Sequence, residues 1–155
     1  MRPVHLRWPL IALVGAGGAV GTGVREALVL LWPTDPRAFP VTVFVINVVG
    51  AFVLGLLLET LTRRGEDDGP RRILRLALGT GVLGGFTTYS SLATDAATRL
   101  PHSTGVALAY AAASLLVGAL ASFVGIAVAA TITPRRHEPE NARLETDPDS
   151  SEVEA

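Results

Sequence analysis

The chain has 155 residues, is 49% hydrophobic and has a mean hydropathy of +0.43, with 17% of its residues charged. Its 13 basic and 14 acidic residues leave a net charge of −1, which gives no reason to expect nucleic acid as a partner. There is no cysteine, which excludes disulfides, thiol catalysis and cysteine-ligated metal sites.

Four stretches of the chain are almost free of charge, and each is about 20 residues or longer, enough to cross the hydrocarbon layer of a membrane. They run Trp8–Trp32, Phe39–Leu61, Ile73–Ala97 and Gly105–Ile132. The sequence therefore predicts an all-α membrane protein, not an enzyme, with a four-helix transmembrane domain over residues 1–134. We expect the first stretch to be kept as a span, because its apolar run continues past a possible signal-peptide cleavage point.

The C-terminal part of the chain, residues 135–155, has seven acidic residues, three arginines and almost no apolar side chains. Such a composition predicts a disordered, soluble tail, because it cannot bury enough apolar surface to fold. All 13 basic residues are arginines, and ten of them fall on the side shared by the two termini and the connection between spans two and three. Cytoplasmic loops carry the excess of positive charge, so both termini are expected in the cytoplasm of a cell-membrane protein.

The first span is rich in small residues that recur four apart, namely Gly17 with Gly21 and Ala19 with Gly23. This spacing predicts smooth helix faces for close contact with neighbouring helices. Arg25 lies near the outer end of the span, where its permanent charge would attract anions into a vestibule. Pairing with Glu26, or reaching to lipid headgroups, is an equally open interpretation.

In the second span, Asn47 lies among apolar residues. An amide in hydrocarbon needs hydrogen-bond partners, so it is expected to face the bundle or a wet pore rather than lipid. Its NH2 group supplies two polarised hydrogens that would suit an anion. A hydrogen bond that joins two helices of the bundle is the competing interpretation.

The third span contains the most unusual segment, residues 81–92, with the sequence Gly-Val-Leu-Gly-Gly-Phe-Thr-Thr-Tyr-Ser-Ser-Leu. Glycine weakens a helix, and Ser and Thr side chains compete for backbone hydrogen bonds. Non-helical backbone at membrane depth persists only where protein covers it or where it lines a cavity. The segment therefore predicts a broken third helix and an ion or substrate site beside it.

The fourth span carries Tyr110 and Ser114 one helical turn apart on a single face, with Gly118 continuing the row. Together with Asn47 and the hydroxyls of the third span, they suggest a continuous polar path. Acidic residues are scarce at mid-membrane positions, whereas coupled transporters usually need a buried carboxylate there. The sequence thus favours a passive path for anions.

Taken together, these motifs resemble those of the CrcB/Fluc family of fluoride channels. The matching elements, in chain order, are Gly17 to Arg25, Phe44 to Gly50 with Asn47, Gly81 to Ser90, and Tyr110 to Gly118. The resemblance implies an antiparallel, dual-topology dimer in the membrane lipid, with two fluoride pores at the interface. It also implies a structural Na+ ion held by backbone carbonyls, at positions that fall on Gly84 and Thr87 here.

Fluoride is small and strongly hydrated, so its pore must replace water with close hydrogen-bond donors. The resemblance assigns this role to the Asn47 amide and to the hydroxyls of Thr88, Ser91 and Ser114, with Tyr110 on the same path. The family also presents the positive edges of two phenylalanine rings to the ion, at positions occupied here by Tyr89 and Leu92. Leu92 has no aromatic edge, so the pore containing it departs from the family pattern.

Three other interpretations stay open on the sequence alone. A coupled exporter of the small multidrug type shares the size but expects a mid-span glutamate, and Glu26 lies near a span end. A second is a non-conducting or half-active subunit that completes a heterodimeric fluoride channel. A purely structural membrane protein is the third. The arginine bias favours a CrcB-like paralogue as the antiparallel partner, because a homodimer needs equal insertion in both directions.

Overall fold

The structure is a computed structural model that describes residues 8–35 and 38–135. The acidic tail predicted for residues 135–155 lies, apart from its first residue, outside the described part of the chain. Within that part every regular element is helical. The predicted all-α class is therefore confirmed.

Among residues 8–35 and 38–135, three helices are long and apolar enough to cross a membrane. They are α1 (Trp8–Leu31), α2 (Val41–Arg63) and α6 (Thr104–Ile132). Their bounds agree closely with the first, second and fourth predicted spans. Ser103 caps α6 with its hydroxyl, which accepts from the amide of Val106 at 3.4 Å.

The third predicted span is not one continuous helix. It consists of α3 (Gly69–Leu74), a π-helix (Arg75–Leu83), a single turn α4 (Gly84–Phe86) and, after a break, α5 (Tyr89–Arg99). The π-helix was not predicted. Its wider turn is seen in the hydrogen bond that the amide of Gly84 donates to the carbonyl of Gly79, five residues earlier. The break itself lies inside the segment 81–92, as expected from its composition.

The helices form two tightly packed pairs. The first pair is α2 with α6, and the second is α1 with the π-helix and α4. Glycines make both contacts close, because a Cβ on Gly55 would overlap the backbone of Ser122, and one on Gly85 would overlap the backbone of Gly18. The two pairs meet where leucines of α2 lie near Gly79. Beyond the break, α5 packs on α6.

The smooth faces predicted for α1 are found on one side only. Gly17 and Gly21 face the π-helix, where a Cβ on Gly17 would lie 2.7 Å from the carbonyl oxygen of Ala77. A Cβ on Gly23 would meet nothing within 4 Å. The expectation that Ala19 and Gly23 form a packing face is therefore not met within this chain, because that side of α1 points outward.

The connection between α2 and α3 is held by arginine side chains. Arg71 donates to the carbonyls of Arg64 and Glu66 and to the carboxylate of Asp68. Arg75 pairs with Asp67, and the hydrogen bond between them, ahead of the charges of Arg75 and Arg72, holds the pKa of that carboxyl below its usual value. Much of the positive charge in this loop is thus paired locally.

Gly21→Ala should destabilise the folded protein by roughly 1–3 kcal/mol, the usual cost of inserting a methyl group into a filled contact. A Cβ at Gly21 would overlap the carbonyl oxygen of Val82 and lie 2.8 Å from the amide nitrogen of Phe86. Gly15→Ala is the matched control, because a Cβ there meets nothing within 4 Å. Thermal unfolding in detergent measures the stability of both variants. Equal melting temperatures for the two variants would contradict the close contact.

Candidate functional site

The chain leaves the helical conformation at two consecutive threonines. Thr87 has ψ 154°, and Thr88 has φ −151° and ψ 116°, both extended. The amide and the hydroxyl of Thr87 both donate to the carbonyl of Leu83, at 2.9 and 2.8 Å. Thr87 is therefore still tied to the preceding helix, and Thr88 is the residue whose backbone needs partners from elsewhere.

Asn47 of α2 supplies those partners. Its Oδ1 accepts from the amide of Thr88 at 2.9 Å, and its Nδ2 donates to the carbonyl of Thr88 at 3.2 Å. One amide side chain thus satisfies both backbone groups of the broken residue, as a strand partner would. This geometry agrees with the interpretation that Asn47 joins two helices through hydrogen bonds. One hydrogen of Nδ2 remains available to another acceptor.

A cluster of hydroxyls surrounds the start of α5. Thr88 caps this helix, with its Oγ1 accepting from the amide of Ser91 at 3.1 Å. The same oxygen lies 3.2 Å from Ser91 Oγ and 3.0 Å from Ser90 Oγ. The N-terminus of α5 adds the partial positive charge of its free amides at this point. The cluster is therefore rich in neutral donors.

Arg25 of α1 joins this cluster from the other side. Its Nη1 donates to Ser91 Oγ at 3.2 Å, and its Nε is buried without a partner. Among the described residues no carboxylate pairs with it, so the expected alternative of a pair with Glu26 is wrong in this chain. Arg25 lines a cleft of about 270 Å3; the cleft also takes in Glu26, Val29, Val43, Ser90, Ser91, Thr94 and Asp95.

Tyr110 and Ser114 lie apart from this hydrogen-bonded chain. Both are buried, with 0% and 5% of their surface exposed, and neither hydroxyl has a hydrogen-bond partner among the described residues. The ring of Phe39 meets the ring of Tyr110 edge to face, with centroids 5.4 Å apart. The predicted continuous polar path is therefore present as two separate groups within one chain. Phe39 was not singled out from the sequence, because an aromatic residue before a span carries no distinguishing signal.

Tyr89 and Leu92, the two positions compared with ring-bearing residues of the family, have different surroundings. Tyr89 is 77% exposed at the start of α5, whereas Leu92 is 8% exposed inside the chain. Tyr89 thus lies on the surface of the chain, and Leu92 contributes to packing within it.

The two residues compared with a sodium site differ in backbone conformation. Gly84 is helical, with φ −64° and ψ −34°, so the expectation of unwound backbone there is wrong, and Thr87 alone is extended. However, Gly84 is exposed. In a continuous helix its carbonyl would accept from the amide of Thr88, but that amide donates to Asn47 instead. In the described part of the chain no group of three or more acidic, histidine or cysteine side chains is placed to hold a metal ion.

Comparisons with known proteins place this arrangement in context. The family model described as CrcB-like protein, Camphor Resistance (CrcB), matches residues 12–126. The chain is 51% identical over 135 residues to the fluoride-specific ion channel FluC 2 of Leifsonia xyli subsp. xyli, covering 86% of this chain and 92% of that protein. It is 42% identical to FluC 1 of Cutibacterium acnes, covering 82% and 90%, and 43% identical to FluC of Deinococcus radiodurans, covering 77% and 94%.

The match therefore includes most of α1, all of α2 and the broken segment, and most of α6, together with Arg25, Asn47 and the hydroxyl cluster. The chain belongs to the CrcB family.

Proposed function

We propose that this protein is a subunit of a fluoride-selective channel that lowers cytoplasmic fluoride by passive efflux. The observation that carries the proposal is the hydrogen-bonded chain from Asn47 through Thr88 and Ser91 to Arg25, beside a break in a membrane helix. Relatives that cover most of this sequence are named fluoride-specific ion channels.

The chemistry of these groups suits a small, strongly hydrated anion. Hydroxyl and amide donors replace water around fluoride without a fixed positive charge that would bind it too tightly to leave. Arg25 attracts anions at the cleft, where its guanidinium is held by Ser91 rather than neutralised by a carboxylate. Passage then needs donors spaced along the path, and the buried hydroxyls of Tyr110 and Ser114 are free to supply them.

Purified protein in liposomes, alone or with a partner subunit, should carry fluoride and exclude chloride. Chloride is larger and a weaker hydrogen-bond acceptor, so short-range donors in a narrow path disfavour it. Efflux of each halide, measured with an ion-selective electrode, tests this expectation, with empty liposomes as the control. Equal rates for the two halides would reject the selectivity mechanism.

In cells, deletion of the gene should increase sensitivity to fluoride in mildly acidic medium.

Asn47→Asp should reduce fluoride flux by about 100-fold, because a carboxylate repels an anion about 5 Å away by about 3 kcal/mol at an effective dielectric constant of about 20. The carboxylate would still accept from the amide of Thr88, but it would repel the Thr88 carbonyl and any anion nearby. Thr42→Val is the control, since the Thr42 hydroxyl donates to the carbonyl of Trp32, away from the break. If the Asp variant carried fluoride at the wild-type rate, the role of Asn47 would be only structural, as a link between helices.

We further propose that the channel is an antiparallel dimer of four-span subunits. The broken segment, α3 to α5, would serve as the third of the four spans, supported by its length and by its close packing on α1. Exposed Tyr89 and the outward side of α1 near Gly23 are surfaces that a second subunit would cover. A structural Na+ ion would take the carbonyls of Gly84 and Thr87, together with those of the other subunit.

The partner is proposed to be a CrcB-like paralogue rather than a second copy. Outside the tail, seven arginines are assigned to the side of the termini and three to the other side. The pairs of Arg71 with Asp68 and Arg75 with Asp67 lower the net charge of the loop. They do not remove the bias, because insertion follows the number of basic residues and acidic residues contribute little.

Reporter tags on the C-terminus test this insertion. A reporter active only in the cytoplasm should give a strong signal, and one active only outside should give a weak signal. The corresponding experiment on the proposed paralogue should give the opposite pattern. Comparable activity from both reporters on this chain would indicate insertion in both directions and favour a homodimer.

A further inference from the structure

Arg99, the last residue of α5, lies outside the proposed path. This charged side chain is only 4% exposed. Its Nε donates to the carbonyl of Ala38 at 2.9 Å, and its Nη1 donates to both the carbonyl and the carboxylate of Asp95 at 3.0 Å. A buried guanidinium is costly unless such partners satisfy it. The three bonds therefore fix its position between α5 and the segment that precedes α2.

Asp95 is the partner that faces the cleft. Its side chain is 28% exposed and lines the same cleft of about 270 Å3 as Arg25, Ser90 and Ser91. Glu26 also lines this cleft. Among the described residues that line the cleft are two carboxylates and one guanidinium, a balance that repels anions unless another positive charge lies close behind. Arg99, in contact with Asp95, supplies such a charge.

We propose that Arg99 is a positioning residue that neutralises Asp95 at the edge of the cleft and so lets a small anion enter. The bond from Nη1 to the carboxylate provides the neutralisation, and the bond from Nε to Ala38 keeps the guanidinium behind Asp95. The inference rests on the proposed entry of fluoride through this cleft. It gives the buried ion pair a role in anion entry in addition to its role in packing.

The test is a double-mutant comparison of fluoride efflux from liposomes at low ionic strength. Arg99→Gln should lower the flux about threefold to tenfold, because the carboxylate of Asp95 then repels the anion. The loss should shrink in about 0.5 M of an impermeant salt, which screens charges more than a few ångströms apart. Adding Asp95→Asn to Arg99→Gln should restore the flux. Arg99→Lys, which keeps the charge, should retain more flux than Arg99→Gln.

A purely structural role of Arg99 predicts different results. The double variant would be as slow as Arg99→Gln, and salt would not change the loss; either finding overturns the proposal. If Arg99→Gln does not assemble, Asp95→Asn alone decides, since it removes the repelling charge and keeps Arg99. Its flux should equal or exceed that of the wild type, and slower flux overturns the proposal. A wild-type channel that carries no fluoride, alone or with its partner, would instead refute the proposed function and this inference with it.

Discussion

The structure depends on how the backbone amide and carbonyl at the helix break find hydrogen-bond partners in apolar surroundings. An amide or carbonyl left without a partner at membrane depth costs several kcal/mol, so a break in a membrane helix persists only where other groups replace the lost bonds. Asn47 replaces both bonds of Thr88 with one side chain. This pairing sets the height of α2 against the third segment, fixes the start of α5 and brings the methyl group of Thr87 against Gly50. The local geometry around the break follows from these contacts.

The polar groups around the break are held with few formal charges. Thr88, Ser90 and Ser91 exchange hydrogen bonds with one another, so their hydroxyls are oriented before any ion arrives. Arg25 contributes a full charge at the edge of this group, where the cleft opens. Neutral donors inside and a charge at the entrance combine attraction at the mouth with weak retention within. That combination suits conduction better than storage of an anion.

Much of this arrangement could be predicted from the sequence, because it depends on local composition. Long apolar runs gave the three spanning helices to within a few residues, and glycine with hydroxyl residues located the break. The partners could not be predicted. Asn47 and Thr88 are 41 residues apart, and Arg25 and Ser91 are 66 apart, so only the packing of the helices selects these pairs. The position of the break also depends on packing. Gly84 is helical, and the helix is interrupted at Thr88, where the side chain of Asn47 in α2 reaches the backbone.

The π-helix between Arg75 and Leu83 constrains the number of residues in this part of the chain. In an α-helix each residue turns the chain by about 100°, whereas a π-helix turns it less for each residue. The direction in which Thr88 faces therefore depends on how many residues adopt the wider turn. If the same residues formed α-helix throughout, the two threonines would rotate away from Asn47 although every side chain was kept. This part of the sequence is thus constrained in residue number as well as in residue type, and an insertion or deletion here would act on the break from a distance.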